Sequence, residues 1–259
     1  MSPDERAQLW LLGLFVVACV YFWRLYRNSD YSTWESCLYL PTYTLGRLLW
    51  RVHFTNEAPT ALLSGGVLAA NHRSSVDPFF VQLAARRRVH WMVAKEYCQH
   101  FAFGPLLRAL QVIPTNRSGM DTASTKAALR ITQAGRLVGM FPEGRINQTS
   151  AALLPLRSGA ALVAIRSKVP LIPLSIVGSP MSDTVWSPLF MPARVAITFG
   201  EPIWPDSDTS DKNNGSCKTY VLADSDALIV QWGQQILTLA QSASTPVELA
   251  SQRKRRNRT

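Results

Sequence analysis

The sequence predicts an α/β fold, with a mostly parallel sheet covered by helices and an N-terminal helical hairpin in front of it. Short apolar runs alternate with helical stretches from about residue 59 onward, the pattern of strands joined by crossover helices. The runs are apolar almost without interruption, as in strands buried on both faces. A composition of 47% hydrophobic and 17% charged residues supports a large core.

The N-terminal segment Leu9–Trp23 contains fifteen apolar or aromatic residues and no charge. A perpendicular span needs about twenty residues, so this segment predicts either a short span or a helix sunk into one leaflet. Trp10 and Trp23 bracket it as interfacial aromatic residues do. Arg24 and Arg27 follow it directly, which predicts that the rest of the chain lies on the cytoplasmic side of a membrane.

A second apolar-rich segment, Trp34–Phe54, contains three basic residues and is interrupted at Pro41. It predicts an amphipathic partner of the first helix, lying at the membrane interface. We therefore divide the chain into a membrane-associated two-helix element at 1–58, a main domain at 59–245 and a basic tail at 246–259.

The main domain predicts its elements in order from apolar runs, helix caps and amphipathic periodicity. Strands are expected over Gly65–Asn71, Val89–Ala94, Val112–Thr115, Arg136–Phe141, Val169–Gly178 and Arg194–Gly200. Helices are expected over Pro78–Arg87, Gly104–Gln111, a segment capped by Asp121 and ending near Gln133, Ser158–Ser167 and Val221–Ala240.

The charge of the chain favours anionic partners. The formal net charge is +10, which suits nucleic acid, phospholipid headgroups or phosphorylated substrates. Because no recognised nucleic-acid motif is present, we expect no nucleic-acid partner. The four cysteines lie far apart without a Cys/His cluster, so the sequence predicts no metal site.

The stretch Asn71–Phe80, "NHRSSVDPFF", places His72 five residues before Asp77. One interpretation makes Asp77 the N-cap of a helix that begins at Pro78. The other makes His72 and Asp77 a catalytic dyad, in which the carboxylate orients the imidazole.

Three further segments come at the ends of predicted strands, where open α/β sheets bind their ligands. Phe141–Arg145 reads "FPEGR", Ile113–Arg117 reads "IPTNR", and Val169–Gly178 reads "VPLIPLSIVG". Each segment alone is compatible with an ordinary turn or a surface charge. Their combination in this order favours the dyad interpretation.

These segments resemble the sequence blocks of the glycerophospholipid acyltransferase family. Asn71–Asp77 is similar to the first block, N-H-x-x-x-x-D, and Val112–Arg117 stands where the second block ends in an arginine. Phe141–Gly144 resembles the third block and Val169–Pro173 the fourth, V-P-x-x-P. The resemblance covers about residues 60–205 and implies the α/β fold of glycerolipid acyltransferases.

The resemblance implies transfer of an acyl group from acyl-CoA or acyl carrier protein to the free hydroxyl of 1-acyl-glycerol-3-phosphate (lysophosphatidic acid), giving phosphatidic acid. The acceptor hydroxyl would be the nucleophile, His72 its general base and Asp77 the orienting carboxylate. Oxyanion donors are expected among the backbone N–H groups near Pro78. No metal and no cofactor beyond the thioester donor are required.

Four residues are expected to bind the acceptor. Arg117 and Arg145 suit its phosphate, because arginine binds phosphate bidentately. By resemblance Glu143 positions the glycerol hydroxyls, while Gly144 permits close approach of the backbone. Arg157 stands where relatives often carry a lysine.

The third block departs from its commonest form, F-P-E-G-T-R, since Arg145 directly follows Gly144. A similar F-P-E-G-R-I form occurs among relatives that reacylate lysophosphatidylethanolamine, so another lysophospholipid is an alternative acceptor. A non-enzymatic alternative is a membrane-tethered protein that binds anions through its +10 charge. The expected partners are the bilayer, the lysophospholipid and the acyl donor, with the chain anchored at the cytoplasmic face by its N-terminal segment.

Overall fold

The computed structural model describes residues 2–27, 31–101, 104–116, 121–205 and 217–241. In this part of the chain seven strands form one sheet. Their bounds are β1 His53–Phe54, β2 Gly66–Ala70, β3 Val89–Ala94, β4 Ile113–Thr115, β5 Leu137–Met140, β6 Leu171–Val177 and β7 Ala196–Phe199.

The sheet order is β1-β7-β6-β2-β5-β3-β4, with β2 at the centre. All neighbouring pairs are parallel except β6 and β7, which are antiparallel. The predicted mostly parallel sheet is confirmed. Strand β1, only two residues long, was not predicted from the sequence, and neither was the antiparallel direction of β7.

Helices connect the strands and cover both faces of the sheet. They are α1 Pro3–Arg27, α2 Thr33–Leu48, α3 Asp77–Ala85, α4 Lys95–Gln99, α5 Gly104–Ala109, α6 Thr122–Gln133, α7 Gly159–Ser167 and α8 Cys217–Leu239. Two 3-10 helices, η1 Thr60–Ser64 and η2 Ser187–Phe190, complete the described elements.

The core lies on both sides of β2, whose five residues are all buried. Leu68 and Ala70 belong to the cluster that contains α3, while Val67 and Ala69 belong to the cluster on the α7 and α8 side. Trp232 of α8 donates from its indole nitrogen to the Ala69 carbonyl at 3.0 Å. The continuous apolar run therefore reflects a strand covered on both faces.

The predicted elements agree with the structure except near Pro41 and at the start of α8, which begins at Cys217 and not at Val221. All six predicted strands end within two residues of their observed bounds, and Asp121 caps α6 by accepting from the amides of Ala123 and Ser124. The expected interruption at Pro41 is wrong, because α2 runs through it. Arg117, residues 206–216 and the tail at 246–259 lie outside the described residues.

The N-terminal helix α1 is exposed along its apolar length. Among the described residues, α1 is the helix that is long and apolar enough to cross a membrane, over Pro3–Arg24. None of that stretch is buried. Its contact with α2 includes an edge-on pair of rings, Tyr21 and Tyr43, 6.2 Å apart. This exposed apolar surface is a hint of membrane association.

The second helix joins the main domain. A Cβ at Gly46 would lie 2.5 Å from Leu83 of α3, so α2 and α3 approach closely. Trp50 and Val52, which follow α2, are part of the core. The domain boundary at residue 58 stays a prediction.

We expect the stability of the fold to decrease as pH falls, because of His90. This side chain is buried in β3, and its Nδ1 lies 3.0 Å from the Gln111 carbonyl. Its Nε2 has no hydrogen-bond partner in the described part of the chain. Burial lowers its pKa below the ordinary value of 6.5. Below the pKa that His90 has in the unfolded chain, the unfolded chain binds a proton at His90 that the folded chain does not bind. The free energy of unfolding therefore decreases as pH falls through that pKa.

Thermal unfolding between about pH 7.5 and 5.5 checks this expectation. His90→Gln, which keeps an N–H donor but does not titrate, should show a smaller fall in Tm than the wild type. His53→Gln, at an exposed histidine of β1, should keep the wild-type dependence. An unchanged pH dependence in His90→Gln would contradict the assignment.

Candidate active site

The residues singled out by the sequence meet at one edge of the sheet. Because β2, β5 and β6 are parallel, their carboxyl ends lie together, and they are followed by His72, Glu143 and Ser179 respectively. The fourth block, Val169–Pro173, does not reach this edge, since it leads into the amino end of β6. That strand contributes to the site through the residues after its end.

The central contact is the hydrogen bond between His72 and Asp77. His72 Nδ1 lies 3.0 Å from Asp77 Oδ2; the Asp77 side chain is fully buried and that of His72 is 14% exposed. The N-cap interpretation of Asp77 is wrong: α3 begins at Asp77, its N-cap is Val76, and no side chain caps it. The carboxylate points back to the loop before the helix.

The Asp77 carboxylate accepts three further hydrogen bonds. Oδ2 accepts from the amides of Arg73 and Ser74, both at 2.7 Å, and Oδ1 accepts from the Ser179 hydroxyl at 2.6 Å. These donors offset the cost of burying a charge. With Nδ1 of His72 donating to the carboxylate, the tautomer that leaves a lone pair on Nε2 is favoured.

The expected oxyanion donors at the start of α3 are already engaged. The amides of Arg73 and Ser74 bind Asp77, and the Asp77 amide donates to the Ser74 carbonyl at 3.2 Å. The Val76 amide donates to the Ser74 hydroxyl at 3.4 Å. Among the described residues of this turn, only Ser75 keeps an amide N–H without a partner.

The imidazole of His72 is held in place by a stack of aromatic rings. Phe141 lies parallel to it, with ring centroids 3.8 Å apart, and Trp91 stacks on the other side of Phe141 at 4.9 Å. The stack fixes the plane of the imidazole, while Asp77 fixes its rotation. Phe141 belongs to the third block, but the sequence predicted no role for its ring.

Glu143 is a second buried carboxylate, and it binds the main chain. Oε1 accepts from the His72 amide and Oε2 from the Leu154 amide, both at 2.8 Å. Burial raises its pKa, although these two hydrogen bonds oppose the increase. The resemblance implies that Glu143 positions glycerol hydroxyls; in the structure its oxygens contact amides of the chain itself.

Gly144 follows in a left-handed conformation, with φ +69°. A Cβ at this position would lie 2.8 Å from Nε of Arg157, so the guanidinium of Arg157 packs closely beside the glycine. Arg145 comes next and is exposed. Arg117, the other predicted phosphate ligand, lies outside the described residues.

Two residues near the dyad make contacts that the sequence did not predict. Asn71 extends the pairing of β2 with β6 through its side chain. Its Nδ2 donates to the Ile176 carbonyl at 2.8 Å, and its Oδ1 accepts from the Ile176 backbone amide at 2.7 Å. Ser179 binds Asp77 across 102 residues of sequence. No local spacing signals either contact.

The described residues offer His72 no nucleophile from the protein. In that part of the chain no hydroxyl or thiol side chain is hydrogen-bonded to the His72 ring, and no group of three His, Cys, Asp or Glu residues could hold a metal ion. The expectation that no metal and no cofactor are needed stays a prediction.

Comparisons with known proteins show that the chain is similar to acyltransferases. A family model described as "Acyltransferase" matches residues 51–177. The 1-acyl-sn-glycerol-3-phosphate acyltransferase of Bacillus subtilis is 30% identical over 141 residues, 54% of this chain and 67% of the relative. The protein of that name from Streptococcus pneumoniae is 27% identical over 203 residues, 74% of this chain and 73% of the relative.

A plant relative and a solved structure extend the comparison. The 1-acyl-sn-glycerol-3-phosphate acyltransferase of Limnanthes douglasii is 29% identical over 149 residues, which cover 56% of this chain and about half, 53%, of the relative. The crystal structure of the 1-acyl-sn-glycerophosphate acyltransferase PlsC from Thermotoga maritima matches with a TM-score of 0.53 and 18% identity, over 87% of this chain and 96% of that chain. The fold is therefore shared.

Gly144→Ala should destabilise the protein by about 1–3 kcal/mol, because the left-handed backbone becomes strained and Arg157 must move. Gly159→Ala is the matched control: Gly159 begins α7 and a Cβ there would meet only Met140, at 3.6 Å. Thermal unfolding of both variants checks this. Equal Tm values for Gly144→Ala and the wild type would contradict it.

Proposed function

The chain belongs to the acyltransferase family as an O-acyltransferase, and we propose that it transfers a fatty acyl group from a thioester to the free hydroxyl of 1-acyl-glycerol-3-phosphate, giving phosphatidic acid. The observation that carries the proposal is the bond between His72 Nδ1 and Asp77 Oδ2, 3.0 Å long. It leaves Nε2 of His72 as the nitrogen that can accept a proton from a substrate hydroxyl.

The reaction follows the logic of a Ser-His-Asp triad without the serine. Nε2 of His72 removes the proton of the acceptor hydroxyl while that oxygen attacks the thioester carbonyl carbon. The tetrahedral intermediate then collapses, the C–S bond breaks, and the imidazolium returns the proton to the leaving thiolate. Asp77 acts through His72 by fixing its tautomer and stabilising the imidazolium.

Glu143 is a positioning residue in this proposal. Both of its oxygens bind backbone amides, one of them the amide of His72 itself. The carbonyl of His72 accepts from the Asn147 amide at 2.7 Å, so the main chain of the base is held on both sides. Glu143 therefore assists the attack of the acceptor hydroxyl indirectly, by fixing the main chain of His72.

Arg145 and Arg117 are the proposed ligands of the acceptor phosphate. Arg145 is exposed directly after the Gly144 turn, where its guanidinium can meet a bound phosphate. The names of the relatives support 1-acyl-glycerol-3-phosphate as the acceptor. The direct succession of Gly144 and Arg145 favours a lysophosphatidylethanolamine as the second candidate.

The acyl donor is acyl-CoA or acyl carrier protein, and the reaction needs no further cofactor. We place the enzyme at the cytoplasmic face of a membrane, anchored by α1. The exposed apolar length of this helix supports the anchor, and the basic residues at its end support the orientation.

Acyl transfer by the purified protein in lipid or detergent tests the proposal. A labelled long-chain acyl-CoA is offered with lysophosphatidic acid and lysophosphatidylethanolamine side by side, and the labelled products are separated. We expect diacyl product from lysophosphatidic acid. His72→Ala and Asp77→Asn should each lower kcat/KM by about 10²–10⁴-fold.

His53→Ala, at an exposed histidine of β1, is the control and should keep wild-type activity. Product from lysophosphatidylethanolamine alone would keep the mechanism and replace the acceptor. No product with acyl-CoA or with acyl carrier protein as donor would refute the proposed reaction.

Ser179→Ala should lower kcat with little change in KM. The substitution removes the hydroxyl that binds Oδ1 of Asp77 at 2.6 Å and leaves a buried carboxylate oxygen without that donor. Such a loss costs about 1–3 kcal/mol, which corresponds to about fivefold to 150-fold in kcat when it falls on the transition state. Ser179→Thr retains the hydroxyl and should restore most of the rate.

Ser175→Ala is the matched control for Ser179→Ala. Ser175 lies within β6, four residues before Ser179, and is buried. Its hydroxyl has no hydrogen-bond partner among the described residues, so its removal should leave kcat unchanged. Equal rates for the two alanine variants, or no rescue by Ser179→Thr, would remove Ser179 from the positioning of Asp77.

A further inference from the structure

The loop between β6 and β7 exposes apolar side chains at the same edge of the sheet as the His72–Asp77 dyad. Met181, Val185 and Trp186 are exposed, and Phe190 is 78% exposed. Beneath them Pro188 is buried and Leu189 packs against the core. The loop is therefore anchored from below and presents its apolar residues outward.

This loop lies beside the carboxyl-terminal end of α2. The indole nitrogen of Trp50 donates to the Pro188 carbonyl at 3.3 Å, and the Ala193 amide donates to the Leu49 carbonyl at 3.2 Å. Leu48, the last residue of α2, is 74% exposed. We call the exposed residues of these two segments the apolar corner; they are Leu48, Met181, Val185, Trp186 and Phe190.

The apolar corner is continuous with the N-terminal hairpin, and exposed arginines lie close to it in the sequence. It includes the end of α2, the helix against which the exposed apolar helix α1 packs. Three exposed arginines, Arg47, Arg51 and Arg194, lie near the corner in the sequence. Asp183 is the one acidic residue between Ser179 and Ala193. Aromatic residues with arginines around them suit the interface of an anionic bilayer.

The same loop contacts the catalytic segment at two points. The Ser75 hydroxyl donates to the Val185 carbonyl at 2.7 Å, and the Ser179 hydroxyl donates to Asp77 at 2.6 Å. Ser75 and Asp77 lie within the first block of the proposed site. The exposed residues and the dyad are therefore connected through one short loop.

We propose that the apolar corner is a second membrane-contact surface, separate from α1, which enters the interface of an anionic bilayer and holds the dyad edge of the sheet against the lipid. The inference rests on the proposed function in one respect, that the acceptor is a lipid in a membrane. Attachment by α1 alone would leave the catalytic edge free to turn away from its substrate.

Fluorescence quenching tests the contact without any catalysis. The full chain is reconstituted in vesicles of phosphatidylcholine and phosphatidylglycerol, with or without dibrominated acyl chains. The emission lost in Trp186→Phe belongs to Trp186, and we expect the brominated lipid to quench it. Trp204→Phe is the control, because Trp204 is exposed beyond the end of antiparallel β7, at the opposite edge of the sheet. Equal quenching of both signals, or of neither, would overturn the proposal.

Acyl transfer provides the second test. Trp186→Ser/Phe190→Ser should lose about tenfold or more of its activity on an acceptor in vesicles, since it buries less apolar surface. Its activity on a monomeric short-chain acceptor should stay close to that of the wild type. Trp186→Phe/Phe190→Leu should keep the vesicle activity, as should Trp204→Ser.

The outcomes separate this inference from the proposed function. An equal loss on both acceptors would show that the corner serves the site itself and would overturn the inference. If the wild type self-associates and the Trp186→Ser/Phe190→Ser variant is monomeric, the apolar corner is an interface with a second copy of the chain and the inference is overturned. A wild type inactive on every acceptor would refute the function, whereas the quenching result would still decide the membrane contact.

Discussion

The site depends on one buried carboxylate, that of Asp77. It accepts hydrogen bonds from His72, from two backbone amides and from Ser179, and a fully buried charge is tolerable only when its bonds are complete. Those donors come from the loop after β2 and from the loop after β6. The carboxylate is thus satisfied only when these two strands are neighbours in the sheet, which couples the fold to the chemistry. Asn71 also holds β2 and β6 together, because its side-chain amide joins the end of β2 to Ile176 of β6.

A second carboxylate extends this arrangement. The amide of His72 donates to Glu143, and the amides of Arg73 and Ser74 donate to Asp77. Three consecutive amides therefore bind two buried carboxylates, which fixes the main chain that carries the base. The stacked ring of Phe141 then leaves the imidazole little freedom. Such preorganisation places Nε2 before the substrate arrives, so reorganisation is not added to the barrier of the reaction.

Most of the architecture could be predicted from the sequence, because strands buried on both faces give continuous apolar runs, as in β2 and β6. Contacts between residues close in sequence could also be predicted, such as that of His72 with Asp77, which spans five positions. Contacts across the fold were not. Ser179 meets Asp77 only through the adjacency of β2 and β6, and Glu143 carries no local sign that both oxygens bind backbone amides. The helix-cap interpretation of Asp77 failed because the carboxylate turned toward the preceding amides, a choice between neighbouring donors that the residue types leave open.

The absence of a protein nucleophile beside His72, within the described residues, has a kinetic consequence for the proposed reaction. A serine or cysteine would hold the acyl group covalently while the first product leaves and the second substrate enters. When the acceptor hydroxyl is itself the nucleophile, the thioester and the lysophospholipid must occupy the site together. The donor arrives from water and the acceptor from the membrane, so the dyad must lie where the two phases meet. The dyad edge of the sheet suits that requirement, because the loop after β6 contacts Asp77 through Ser179 and exposes the apolar side chains of Trp186 and Phe190.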